Sequence, residues 1–224
     1  MITYLAAVQQ ILSRLRERTV SSVSETEYSK LLGHLLNDAR EEVENAWNWA
    51  SLQSTLTVNT VASTDTYEVD GTQNLSTFTS VTNDTQKSFL TQATTDQFKR
   101  WFLNTPVLEG VPSYYTFNGL ATDGDTNVKL YPVPDGVYSL SFNVTQRGIE
   151  LTSDADLLHT PMRPTLLLAY AKAVEERGED GGVGSGAAYG MANRSLADAI
   201  AMDAQKNPDY LIWESGYIPQ DIRA

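Results

Sequence analysis

Cysteine is absent from this chain of 224 residues, histidine occurs only twice, and basic residues are much fewer than acidic ones. Without cysteine, the chain can form neither a disulfide framework nor a thiolate metal site. The two histidines, His34 and His159, exclude a histidine-rich metal site, and a catalytic triad would have to use one of them. The 16 Lys and Arg against 28 Asp and Glu give a net charge of -12, so the average surface should repel nucleic-acid phosphates.

Long apolar runs are missing as well. No segment reaches the roughly 18 consecutive apolar residues of a membrane-spanning helix, so no membrane span is predicted. The first residues lack a basic leader and a long apolar stretch, and they are not predicted to be a signal peptide. What is present is a hydrophobic fraction of 41%, which is enough to bury a core in one domain or in one domain with a sizeable insertion.

Helical periodicity appears in two separate zones. Within about residues 3 to 50, apolar stripes predict two adjacent helices, and the second is predicted to start at Ser24 with Glu27 completing a capping box. The other zone covers about residues 161 to 206 and also predicts two helices, separated by a glycine-rich break at residues 178–190. The apolar set of the last helix consists of Met191, Leu196, Ala199, Ile200 and Met202.

Between these zones, about residues 53 to 149 alternate apolar and polar side chains. This period of two predicts half-buried antiparallel strands, and pairs such as Asp123-Gly124 and Asp135-Gly136 predict tight turns. One short helix, capped by Thr95, is predicted to interrupt the strands. Its buried aromatic face consists of Phe98, Trp101 and Phe102.

The predicted fold class is α+β. Residues 1–50 and 151–206 should pack together as a helical bundle, and residues 51–150 should form an inserted β-rich lobe that carries the short helix. Residues 207–224 are predicted to be an extended C-terminal docking tail, because they have no helical or strand period and are too apolar for a free linker. The apolar residues of this tail are Tyr210, Leu211, Ile212, Trp213, Tyr217 and Ile218.

Motifs that would signal chemistry are incomplete. Residues 182–187 fit a dinucleotide-binding fingerprint, but they follow a predicted helix where that motif requires a strand. Asp123 and Asp125 resemble the start of a calcium loop, yet Val128 stands at its glycine position, so a hairpin turn is predicted instead. The sequence therefore predicts no metal, no cofactor and no catalytic residue.

The acidic residues allow two further interpretations. Glu150, Asp154 and Asp156 lie close to His159 in the sequence, so a catalytic pair stays open, although no G-x-S-x-G motif supplies a serine. The acidic run that starts at Asp38 is spaced as one face of a helix. That spacing predicts a solvated surface or the wall of an acidic channel, because a glycosidase needs two carboxyls that face each other across a cleft.

Several segments carry a family resemblance through their order and through the position of the β insertion. They are residues 44–49 at the end of the second helix, 128–140 with a Pro-Val-Pro turn, 157–161, 166–173 and 196–203. With these segments the chain resembles the head-to-tail adaptor, or neck, proteins of tailed bacteriophages. It looks most similar to the tail tubular A and tail accessory factor type of short-tailed phages.

The resemblance implies a structural protein of the virion and no enzyme. Such proteins form a dodecameric ring docked below the portal protein, join the capsid to downstream tail or nozzle proteins, and continue the DNA channel. The C-terminal segment extends towards the portal or along a neighbouring subunit, so the tail is the expected docking element. The location implied is the head-tail interface, after assembly in the host cytoplasm, with no membrane and with DNA passing through without specific binding.

The same resemblance gives the acidic residues an expected role. A negatively charged lumen does not hold DNA phosphates, so it favours the passage of DNA. We expect some of seven carboxylates to line the channel: Asp38, Glu41, Glu42, Glu44, Glu175, Glu176 and Glu179.

Two alternatives from other classes remain open. The β zone is rich in Thr and Tyr, which also suits a carbohydrate- or receptor-binding module of a phage tail. A cell-wall hydrolase is the second alternative, because some tail components degrade the wall, although the nucleophile motif is missing.

Overall fold

The computed structural model describes residues 1–72, 76–148, 150–178 and 183–206. The fold is α+β, as predicted, with five α-helices and nine strands in this described part of the chain. The chain divides into two compact units. The helical unit consists of Met1–Ser51 with Gly148–Ala224, and the sheet unit is Leu52–Arg147.

Four helices build the helical unit. A two-residue strand pair, β1 (Ile2–Thr3) and β9 (Leu157–Leu158), joins its two chain segments in antiparallel register. The helices are α1 (Tyr4–Arg14), α2 (Glu27–Ala46), α4 (Met162–Arg177) and α5 (Val183–Ala204). Helix α2 packs against both α1 and α4, and α4 packs against α5. A methyl group on Gly33 of α2 would overlap the Tyr4 hydroxyl of α1, so glycine permits the close approach of these helices.

The N-terminal caps lie one or two residues away from the predicted positions. Helix α2 begins at Glu27, and its capping box is formed by Thr26 and Ser29, so the predicted cap at Ser24 is wrong. The Ser29 amide donates to the Thr26 hydroxyl at 3.0 Å, and the Thr26 amide donates to the Ser29 hydroxyl at 3.0 Å. Serine and threonine are both good N-caps. In a segment rich in both, several residues could cap the helix about equally well, so the local sequence does not single out one of them.

Helix α5 differs from its prediction in both its start and its buried face. It begins at Val183, so the glycine-rich break does not extend to residue 190. Its predicted apolar residues Met191 and Met202 are 52% and 70% exposed. The buried residues form a stripe of small or polar side chains, namely Ser185, Ala188, Ala192, Ser195 and Asp203. Small side chains on this stripe let α5 lie close to α4, which supplies the large apolar ones.

Seven strands form one sheet in the sheet unit, in the order β2-β8-β4-β5-β6-β7-β3. Their bounds are β2 (Gln53–Asn59), β3 (Thr66–Val69), β4 (Thr77–Asn83), β5 (Ser88–Gln92), β6 (Tyr114–Leu120), β7 (Thr126–Tyr131) and β8 (Ser139–Thr145). Every neighbouring pair is antiparallel, as predicted, except the parallel pair β5 and β6. Helix α3 (Thr95–Leu103) lies in the crossover that this parallel pair requires.

The sheet encloses a hydrophobic core that follows the predicted alternation. Val69, Val128, Leu130, Leu140 and Phe142 are completely buried. Burial of each large apolar side chain stabilises the folded state by about 1.5–3 kcal/mol. This cluster therefore contributes most of the stability of the sheet unit. The sheet curls over this core, because its edge strands β2 and β3 contact each other.

Helix α3 covers part of this sheet with aromatic side chains. Its N-cap is Thr94, one residue before the predicted Thr95, and Gln97 completes a capping box. Phe98 is buried, as predicted, whereas Trp101 and Phe102 are half-buried. The Trp101 ring stacks on Tyr131 of β7 with centroids 4.7 Å apart, which fixes the helix against the strand.

Candidate functional site

The predicted channel acids are found on two helices of the helical unit. Asp38, Glu41 and Glu42 are exposed on α2, and Glu175 and Glu176 are exposed in the last turn of α4. Glu42 also accepts an ion-pair hydrogen bond of 2.6 Å from Lys172 of α4. Its charge is therefore partly balanced, whereas none of the other four exposed carboxylates has an ion pair with another described residue.

Tyr189 of α5 brings the two acidic segments together. Its hydroxyl donates to the Glu175 carboxylate at 2.6 Å. Burial raises the pKa of Tyr189 to about 12, and the hydrogen bond to Glu175 and the charges of Glu175 and Glu42 contribute further. Glu42 of α2 and Glu175 of α4 therefore lie near one tyrosine. We call these two residues, together with the exposed acids Asp38, Glu41 and Glu176 on the same two helices, the acidic face.

Glu44 does not belong to this face. Its residue is only 5% exposed, and its carboxylate lies 3.7 Å from the Arg40 guanidinium and accepts the Gly148 amide at 3.2 Å. Glu44 follows Arg40 by four residues and Asn37 by seven, which places all three on the inward row of α2. Its carboxylate therefore joins the two chain segments of the helical unit and offers no charge to a channel in this conformation.

Seven of the predicted residues lie outside the described part of the chain. They are Glu179, which was grouped with the channel acids, and the six apolar tail residues Tyr210, Leu211, Ile212, Trp213, Tyr217 and Ile218.

The two histidines occupy exposed positions. Near His159, the Asp156 carboxylate accepts the amides of Thr152 and Ser153 at 2.8 and 2.7 Å, and these bonds hold the pKa of Asp156 below its ordinary value. Asp154 likewise accepts the Val23 amide at 3.0 Å. Both acids organise the loop before β9, and within the described residues neither hydrogen-bonds to the His159 ring, so the geometry gives no support to a catalytic pair.

A cluster of carboxylates at one end of the sheet unit was not predicted. Oxygens of Glu68, Asp70 and Asp125 lie within 4.8 Å of one another, a spacing that could hold a cation. Asp123 lies next to Glu68, and the interaction of the two carboxyl groups raises the pKa of Glu68 and lowers that of Asp123. Pairing of β3 with β7 sets Val69 opposite Thr126, and so brings together acids that are far apart in the sequence.

Asp123 and Asp125 themselves lie where the sequence predicted a turn. The hairpin that joins β6 to β7 contains Asp123 and Gly124, and Gly124 has a φ of +96°. This left-handed conformation suits glycine. The prediction of a hairpin turn at these residues is confirmed.

Residues 183–187 of the glycine-rich segment form the first turns of α5, so the predicted loop between helices is wrong for them. The element before them is helix α4, which ends at Arg177, and α5 starts at Val183. A dinucleotide fingerprint needs a strand before its glycines, so this segment lacks the required setting. None of the helices in the described ranges is long and apolar enough to cross a membrane.

Comparison with known proteins gives one result for the whole chain. A family model described as SU10 adaptor protein matches residues 2–211, and so includes both the helical and the sheet unit. No curated protein matches the sequence.

Proposed function

Because this chain belongs to the SU10 adaptor protein family, we propose that it is a phage adaptor that docks on the portal, continues the DNA channel and connects the capsid to the tail. The observation that carries the proposal is the family match over residues 2–211, which includes both units. The family is structural, so the proposal assigns no reaction to the chain.

The proposed partners follow from this position in the particle. One face of a ring of identical chains, twelve in the type of adaptor it resembles, contacts the portal protein. The opposite face contacts downstream tail or nozzle proteins, as in the tail tubular A type. DNA passes through the centre without specific binding, and the net charge of -12 supports this because it opposes retention of phosphates.

The acidic face is the proposed wall of the channel. Asp38 and Glu41 support this, because both are exposed and neither has an ion pair with another described residue. Glu42, Glu175, Glu176 and Glu179 complete the proposed set. Glu44 is left out, because its carboxylate is buried against Arg40.

The apolar tail is the proposed docking element for the portal or for a neighbouring subunit. Its residues Tyr210, Leu211, Ile212, Trp213, Tyr217 and Ile218 provide the large aromatic and aliphatic side chains that dominate binding energy in protein interfaces. Deletion after Pro208 should abolish binding to portal-capped heads, measured by co-sedimentation. Undiminished binding would show that the tail is dispensable for docking.

Electron microscopy of the purified protein mixed with its portal tests the function directly. A second ring stacked coaxially on the portal is the expected result. If no complex forms at any concentration, the adaptor proposal fails. Binding of the isolated protein on a glycan array would then favour the carbohydrate-binding alternative.

A further inference from the structure

A pocket on the helical unit carries the opposite charge to most of the chain. Its volume is about 300 Å³, and Leu167 and Met191 form its apolar part. Arg14 near the end of α1, Arg163 near the start of α4 and Arg194 in the middle of α5 bring three guanidinium groups to its edge. We call these three residues with Leu167 and Met191 the arginine pocket.

None of the three arginines is neutralised within the described residues. All three side chains are exposed, and no carboxylate there lies within the 4.0 Å of an ion pair. Asp198 is the acidic residue at the pocket, and it does not pair with Arg194, four residues before it on α5. Three neighbouring positive charges repel one another, so the pocket is poised to accept carboxylates or other anions.

The part of the acidic face that lies on α4 has the opposite charge to the arginine pocket, and Arg163 of that pocket belongs to the same helix. Arg163 lies near the start of α4, and Glu175 and Glu176 lie in its last turn. A separation of 13 residues, from Arg163 to Glu176, corresponds to about 20 Å along a helix. One copy of the chain cannot bring the two ends of a straight helix together, but two copies can.

We propose that the arginine pocket of one copy binds the acidic end of α4, Glu175 and Glu176, of a second copy. Different patches meeting in this way form a heterologous contact, which closes into a ring when the rotation permits. Chains with a net charge of -12 repel one another on average, so a local contact of opposite charge favours association and fixes which surfaces meet. This inference rests on the proposed function. It assigns Glu175 and Glu176 to the contact between copies in place of the channel wall, and it leaves Asp38 and Glu41 to line the channel.

Charge reversal tests the contact on the portal. The double variant Arg163→Glu with Arg194→Glu should assemble into portal-bound rings with an affinity at least about a hundredfold lower than that of the unmodified chain. The reason is that negative charges would then meet negative charges at the contact. Lys99→Glu with Arg100→Glu makes the same change of net charge on exposed residues of α3 and should leave ring filling unchanged. Circular dichroism should give the same helix content and melting curve for all of them.

Reciprocal reversal provides the decisive measurement. Glu175→Arg with Glu176→Arg should fail alone, and so should the arginine-pocket variant, but an equimolar mixture should restore filled rings in which the two variants alternate. If loss of the Tyr189 bond to Glu175 unfolds that variant, Glu176→Arg alone replaces it. Filled rings from each variant by itself would overturn the inference while leaving the adaptor function intact.

Disulfide trapping separates the two proposals, since the natural chain has no cysteine. Met191→Cys in the pocket and Glu176→Cys on another copy should cross-link when mixed with portal, and Lys99→Cys with Glu176→Cys should not. A stacked ring without the cross-link would overturn the contact alone. Failure of the unmodified chain to stack would overturn the adaptor function, and the contact would then stand only if the cross-link forms without portal.

Discussion

The helical and sheet units bury different kinds of residue. In the sheet unit, the buried residues of the described part are apolar or neutral polar, and Phe142 and Leu140 are fully enclosed. The helical unit also buries charged groups, including Arg40, Glu44 and Asp203. Its buried polar atoms form specific bonds between segments that are more than 100 residues apart in the chain.

The difference follows from how each unit is made from the chain. The sheet unit is one continuous segment whose strands pair along their backbones, so hydrophobic burial completes a structure already ordered by strand pairing. The helical unit is assembled from two separate segments. Its helices satisfy their own backbone bonds, so apart from the short β1–β9 pair the segments are held in register by side chains such as Asn37. The Asn37 amide bonds both backbone groups of Leu151.

The largest effect should come from a cavity in the sheet unit. Phe142→Ala removes a fully buried ring and should lower the free energy of unfolding by about 3–5 kcal/mol. Phe89→Ala, at a side chain that is 72% exposed, should change it by no more than about 0.5 kcal/mol. Amide hydrogen exchange in the sheet unit measures both, and similar losses in the two variants would refute this account of the core.

A polar truncation should act on the helical unit. Asn37→Ala leaves the buried amide and carbonyl of Leu151 without partners and should cost about 2–4 kcal/mol. Asn45→Ala, at an exposed residue of the same helix, is the matched control and should be nearly neutral. Hydrogen exchange should show the loss in the helical unit and leave protection of the sheet unit unchanged. Equal destabilisation of both units would mean that they unfold together.

Replacing a small buried side chain of α5 by a larger one tests how closely α5 packs against α4. Ala192 is 2% exposed, so Ala192→Leu should destabilise the helical unit by about 1–3 kcal/mol. Ala197→Leu adds the same side chain at an exposed position of α5 and should have little effect. Urea denaturation followed by circular dichroism compares the two, and a neutral Ala192→Leu would show that α5 can shift away from α4.

The smallest effect should be a pH-dependent one in the sheet unit. Neighbouring acids raise the folded-state pKa of Glu68 above its ordinary value, first through the hydrogen bond with Asp123. Its contribution to stability is therefore greatest at low pH and is lost as pH rises from about 4.5 through the raised pKa. Glu68→Gln, which keeps a donor for Asp123, should raise Tm at pH 7 and change it little at pH 4. A larger gain at pH 4 would contradict this sign.

Much of the architecture was accessible from local patterns. The alternation at Val128 and Leu130 and at Leu140 and Phe142 predicted the buried faces of two strands, and these residues are buried. Successive side chains of a strand point to opposite faces of its sheet, so this pattern does not depend on how the sheet is assembled. The prediction for α5 failed because large apolar residues were assumed to face inward. Ala188 and Ala192 face α4 instead, while Met191 and Met202 are exposed. The close approach of α4 leaves room only for small side chains on the buried face of α5, and the sequence of α5 does not show how close that helix lies.

For the candidate site as well, some properties follow from the sequence and others only from the tertiary structure. Exposure of Asp38, Glu41 and Glu42 on one helix face follows from their spacing of three and four residues from Asp38, whereas Glu44 lies outside this spacing and differs from them in being buried. Arg40 and Gly148 make that difference in space. The grouping of Arg14, Arg163 and Arg194, and of Glu68 with Asp123, likewise had no signal in the linear chain.

The class of fold, the positions of most helices and strands, the acidic balance and the lack of thiol chemistry can be read from the amino-acid sequence, because they depend on composition and on short-range periodicity. The exposure of individual acids, the grouping of the three arginines and the buried face of α5 become visible only in the folded chain. Those properties depend on contacts between residues far apart in the chain, and such contacts are set by packing geometry that no local pattern records.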